Sequence, residues 1–130
     1  MSQSNAEIIR SGYEAFAVGD IPAVLAVFSE DIVWKIPGRS PLSGTYTGHD
    51  EVLGFFQNLG ERSGGTFHLD VHDVLDNGDD KVVLLLTETA QREDKSLSHT
   101  ALHVWGLRDG MATSFQGFSE DDYENDEFWA

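Results

Sequence analysis

The sequence predicts an α+β fold: three helices in the N-terminal half packed on a strongly curved, mostly antiparallel sheet. Three observations carry that prediction. Up to about residue 62 the apolar residues recur mainly with the period of helices, and beyond "SGG" at residues 63–65 they alternate with period two. Turn signals at Asn77-Gly78 and Asp109-Gly110 then divide the second half into a meander. Helices followed by a run of hairpins bury one face of a sheet under the helices.

Each element has its own signal. "SNAEIIRSGYEAFAVGD" opens with Ser4 and Glu7 at capping-box spacing, and Ile9, Tyr13, Phe16 and Ala17 form one helical stripe before Gly19. Asp20 can cap a second helix, "DIPAVLAVFS", whose first turn tolerates Pro22. "DIVWKIPG" alternates as a strand, with Ile32, Trp34 and Ile36 on one face until Pro37 ends it. "GRSPLSGTYTG" is a loop by composition, and "HDEVLGFFQNLGER" is a third helix with Val52, Phe55, Phe56 and Leu59 inward. "TFHLDVHDVL", "KVVLLLTETAQR", "LSHTALHVWGL" and "MATSFQGFS" follow as strands. The last residues, about 120–130, form an acidic tail whose Phe128 and Trp129 should anchor on their own domain or a neighbour. Without repeats or a low-complexity linker, 130 residues fit one domain.

Composition excludes several functions. The net charge is −15, from 23 Asp and Glu against 8 Lys and Arg. Such repulsion argues against nucleic acid and against anionic membranes as partners. There is no cysteine, hence no disulfide framework, thiolate metal site or cysteine nucleophile. No basic start precedes an apolar stretch, and no apolar run approaches about 20 residues. A soluble, cytoplasmic protein is expected.

Two H-x-x-x-H pairs, His68/His72 and His99/His103, raise the question of a metal. On a helix such a pair could chelate one ion. On a strand the two residues share a face but stand roughly 13 Å apart, at about 3.3 Å per residue. Both pairs fall on predicted strands, so no metal site is expected. His68 and His72 share their face with Asp70 and should be solvated. His103 differs: Ala101, Trp105 and Leu107 share its face, and Thr100, Leu102 and Val104 form the other. A strand apolar on both faces is central, and His103 should point inward.

The succession "YEAFAVGDIPAVLAVFSEDIVWKIPG", "LSGTYTGHDEVLGFFQNL" and "HVWGLRDG" before a final strand resembles the nuclear transport factor 2-like superfamily. Within it the chain is similar to the SnoaL-like group, related to ketosteroid isomerase and the polyketide cyclases. The resemblance implies a cone-shaped α+β barrel around a deep apolar pocket, and a homodimer packed through the outer sheet face, where Leu102 and Val104 would lie. It implies no cofactor. The isomerase's aspartate base corresponds to Ile36, its helical tyrosine falls at Gly12 or Tyr13, with Gly12 the better register, and its oxyanion aspartate matches His103. The cyclases' histidine also matches His103, while their aspartate matches Gly117. Neither mechanism is therefore carried over whole.

A replacement base is available. Turning the hairpin around Asp94 to Ser96 places Glu88 opposite Ala101 or His103, on His103's face. An inward Glu beside an inward His in an apolar pocket is a candidate acid–base pair. The alternative is that Glu88 only neutralises and orients the histidine. Around this pair the ligand-contacting wall would comprise Tyr13, Phe16, Trp34, Ile36, Phe56, Trp105, Phe115 and Gly117, with His99 nearer the rim. The expected function is binding of a small, mostly hydrophobic molecule, with proton-transfer catalysis or non-catalytic binding left open, and a dimeric interaction module as a third reading.

Overall fold

The computed structural model describes residues 3–130. Helix α1 runs Asn5–Ala17, α2 Ile21–Leu25, α3 Gly48–Ser63 and α4 Asp122–Trp129; the strands are β1 Phe28–Ile36, β2 Gly44–Thr47, β3 His68–Asp76, β4 Lys81–Arg92, β5 Lys95–Arg108 and β6 Met111–Ser119. Ser4 Oγ accepts from Glu7 N–H at the start of α1, and Asp20 accepts from Ala23 N–H at the start of α2. These caps satisfy helix donors that have no partner within the helix. Gly64 closes α3 at a φ of 60°, a backbone conformation glycine adopts without strain.

The six strands form one sheet in the order β2-β1-β6-β5-β4-β3. All neighbours are antiparallel except β1 and β6, which run parallel with Trp34 beside Phe115. Register shifts interrupt β1/β6 between Phe28 and Val33, β3/β4 between Val71 and Asp73, and β5/β6 between Gly106 and Leu107. Each such irregularity bends its strand and increases local twist. The open sheet therefore curls around α1 and α3, and its concave face carries the core: Trp34, Leu84, Leu86, Ala101, Trp105 and Phe115 meet Ile9, Phe55 and Leu59. The α+β fold, with helices on a curved antiparallel sheet, is as the sequence predicts.

Four details differ from expectation. The second helix is only one turn long, because Phe28 is drawn into β1 beside Ala112. Part of the expected loop pairs with β1 as the four-residue strand β2, too short for alternation to be read. The acidic tail is not extended: Asp121 caps α4, and Asn125, Phe128 and Trp129 are buried on one helical face. Finally, the β4–β5 turn is Glu93–Asp94, with Glu93 at a φ of 51°. Glu88 consequently lies opposite His99, not opposite Ala101 or His103. The displacement is two residues along β5, so Glu88 keeps the inner face; a shift of one would have turned it outward.

Candidate functional site

The inner faces of β4 and β5 supply the polar part of the site. Alternation along β5 puts His99, Ala101 and His103 on the concave face, all buried. Ala101 is small, and the Glu88 side chain reaches from β4 to lie between the two histidines. His99 Nε2 and Glu88 Oε1 are 2.7 Å apart, and His103 Nε2 and Glu88 Oε2 are 3.0 Å apart. The histidine pair too widely spaced to share one ion is thus joined by a carboxylate.

The bonds extend in both directions. Tyr13 Oη on α1 lies 2.5 Å from His103 Nδ1 and accepts the Trp105 indole N–H at 3.0 Å. On the other side His99 Nδ1 lies 2.7 Å from Ser119 Oγ. Partners fix the protons. A carboxylate only accepts, so both Nε2 atoms facing Glu88 carry hydrogen. Tyr13 oxygen already accepts from Trp105, and its own proton goes to His103 Nδ1. His103 is therefore held as the Nε2–H tautomer, with both nitrogens engaged.

Burial pushes the Glu88 carboxyl up, but the hydrogen bonds and charges of His103 and His99 outweigh it and hold the group at about 2. Burial disfavours the His99 imidazolium, yet the bond and charge of Glu88 raise its pKa above the ordinary value. Glu88 and His99 are thereby favoured as an ion pair. Burial drives the Tyr13 phenol far upward, against the lowering bond from Trp105, so it remains a proton donor.

This network borders a cavity of about 110 Å³ between the helices and the concave sheet. Of the residues singled out in the sequence, Tyr13, Phe16, Trp34, Ile36, Phe56, Glu88, His103, Trp105, Phe115 and Gly117 all line it. His99 does not. Only 2% exposed, it sits behind Glu88 and Ser119 rather than at the rim, because the actual register puts it directly across from Glu88. Trp34 stacks on Phe115 with ring centroids 3.8 Å apart, and its indole N–H is buried without an acceptor among the described residues. Gly117 faces His103 across the strands, and a Cβ there would meet Pro37 Cδ at 3.5 Å, an ordinary contact. Ile36 and Gly117 add only apolar surface to the cavity wall.

His68 and His72 are exposed on β3, His72 bonded only to Thr87 Oγ1. Among the described residues no three His, Cys, Asp or Glu side chains converge to hold a metal, and no helix is long and apolar enough to cross a membrane. Sequence reasoning missed Ser119, Asn125 and Trp129 on the cavity wall. The last two were legible in principle: Asn125, Phe128 and Trp129 stand at i, i+3 and i+4 behind the cap Asp121, the stripe of a helix.

The SnoaL-like domain family matches residues 9–115. Among solved structures, Bal32a from a soil-derived mobile gene cassette is 33% identical, with a TM-score of 0.93 over 97% of this chain and 96% of that one. An NTF2-like protein of unknown function from Burkholderia pseudomallei is 28% identical, with a TM-score of 0.89 over 99% of both chains. TerC, co-crystallised with polyporic acid, is 26% identical, with a TM-score of 0.84 over 95% of this chain and 96% of that one. A family match over most of the chain, with closely similar folds among solved structures, places it by sequence and by fold alike: the chain belongs to the SnoaL-like domain family of the nuclear transport factor 2-like superfamily.

Proposed function

We propose that the protein is a cofactor-independent acid–base enzyme acting on a small, mostly hydrophobic molecule, of isomerase, dehydratase, cyclase or hydrolase type. The observation that carries this reading is the Glu88–His103–Tyr13 chain of hydrogen bonds on the wall of an otherwise apolar cavity. A carboxylate fixes one imidazole nitrogen, and the other meets a hydroxyl, the arrangement that prepares an imidazole to exchange a proton. Entry of a ligand oxygen beside Tyr13 draws the phenol's hydrogen bond away from His103. Nδ1 is then free to take a proton from the ligand, Glu88 stabilises the imidazolium, and Tyr13 donates to the oxygen on which charge develops. Returning the proton to another ligand atom restores His103. TerC, 26% identical, was co-crystallised with polyporic acid, which supports a small organic molecule as the ligand.

The cavity bounds the ligand's size. An engineered cavity of about 150 Å³ holds benzene, so about 110 Å³ takes at most one small ring or a short chain without rearrangement. The experiment is hydrogen–deuterium exchange of small cyclic ketones in D₂O, followed by NMR. We expect exchange next to the carbonyl, slowed about 10²–10⁴-fold in His103→Ala. Binding without exchange, with only a several-fold loss of affinity in the variant, would instead favour a non-catalytic binding protein.

A homodimer belongs to the same proposal. Leu102 and Phe118, neighbours across β5 and β6, are 40% and 44% exposed on the outer face. A monomer by sedimentation at micromolar concentration would remove it. A cytoplasmic location is likewise part of this reading, consistent with a chain that carries no cysteine.

A further inference from the structure

The mechanism makes no use of the one amide side chain on the cavity wall. Asn125 lies in α4, is 8% exposed and lines the cavity. Its Oδ1 accepts the Trp129 indole N–H at 3.2 Å. An indole N–H can only donate, so the oxygen of the amide must face Trp129 and the NH₂ must face elsewhere. That NH₂ has no hydrogen-bond acceptor among the described residues, yet it is not sealed: among those residues the fully buried side-chain polar atoms without partners are Ser29 Oγ and Trp34 Nε1. Two oriented donors therefore remain available to an occupant. Leaving them unpaired in an apolar wall is costly, and a ligand acceptor removes that cost.

The neighbouring helix contacts hold the amide in place. The Asp126 carboxylate accepts Arg39 N–H at 2.9 and 3.0 Å, and Arg92 donates to the carbonyls of Phe128 and Ala130. Charge narrows the ligand further. No Lys or Arg lines the cavity, while Glu88 does. An anionic ligand would find no Lys or Arg countercharge on the wall.

We infer that Asn125 is the specificity-determining anchor of the site, its NH₂ donating to a neutral acceptor group, such as a carbonyl oxygen, on a ring-sized apolar ligand. This rests on the proposed ligand-binding role of the cavity and adds the ligand's class. The test compares cyclohexanone with methylenecyclohexane, which differ in the acceptor and little in shape, by NMR titration. Wild type should prefer the ketone by about 2- to 10-fold, one hydrogen bond's worth. Asn125→Asp keeps an oxygen for Trp129 but offers no donor, and should lose most of the preference. Asn125→Leu should reduce the preference to what the Tyr13 hydroxyl alone supplies.

Wild type also supplies a readout free of any folding defect. The Asn125 side-chain NH₂ resonances should shift with the ketone and stay with the alkene. An unchanged preference in both variants, or NH₂ resonances indifferent to the ketone, would overturn the inference while leaving the cavity's role intact. Failure of wild type to bind either probe would overturn both. Loss of exchange in His103→Ala with the ketone preference retained would support the anchor as separate from the proton-transfer group.

Discussion

Two stretches of this molecule carry the same pattern, H-x-x-x-H on a strand, and they end as opposites. On β3, His68 and His72 stand exposed, and the second of them falls at a register shift where β3 has one residue too many for β4. On β5, His99 and His103 are buried and clasp one carboxylate. The strand between them differs little in spacing and much in neighbours. β5 is flanked by β4 and β6 and meets Tyr13 of α1 and the helix α4 on its inner face, whereas β3 is the edge of the sheet. What the adjacent strand places opposite a histidine pair, not the pair's spacing, decides whether its nitrogens are bonded inside the protein or solvated.

The sharpest way to break that comparison is to remove the clasp. Glu88→Leu leaves His99 and His103 buried without an acceptor and should cost about 3–5 kcal/mol of stability in urea denaturation, the penalty for breaking a buried charge pair. A loss below about 1 kcal/mol would mean that the network is decorative. The pH dependence follows from the same groups. The Glu88 carboxyl is held at about 2, below its unfolded value, so its contribution of roughly 3 kcal/mol is present above pH ~4.5 and lost as pH falls toward 2. The His99 pKa is raised, so its contribution is complete below pH ~6.5 and is lost as pH rises through the folded value. Thermal unfolding should therefore show maximal stability between about pH 4.5 and 6.5 from this pair, and Glu88→Gln should flatten both limbs.

Smaller effects sharpen the contrast. Ser119→Ala leaves His99 Nδ1 without its partner and should cost about 1–3 kcal/mol by the same denaturation measurement. On β3, His68→Ala and His72→Ala should each stay within about 0.5 kcal/mol, as surface substitutions do. A larger cost at His72 would show that its bond to Thr87 and the register shift support the sheet edge.

The fold was legible because its signals are local and repeated. Alternation in β3 and β5 and the stripes of α1 and α3 each rest on many residues, and one deviant, such as the exposed Ala17, changes nothing. The inward position of Glu88 was legible for a different reason: a two-residue error in register preserves the face. Its cross-strand neighbour His99 was not, because the β4–β5 register depends on a turn with Glu93 in a left-handed conformation that non-glycine residues seldom adopt. His99 thus passed from an expected rim position to the interior beside Glu88. Asn125 was hidden by its surroundings, since the six acidic residues across positions 120–127 read as solvated tail unless the two aromatic residues behind them are read as one helical face.

The parallel pairing of β1 with β6 has a consequence for how the protein is made. Trp34 stacks on Phe115 from the opposite end of the chain, and β1 has only the short β2 as its other neighbour. At about 5–20 residues per second, β1 waits on the order of several seconds for its partner strand to be synthesised. During that interval Phe28, Trp34, Phe55 and Phe56 have no complete sheet to close over them. A nascent chain stalled before Met111 would expose this aromatic cluster and an unpaired strand edge, which makes it a candidate client for chaperones and a source of aggregates that the finished protein would not form.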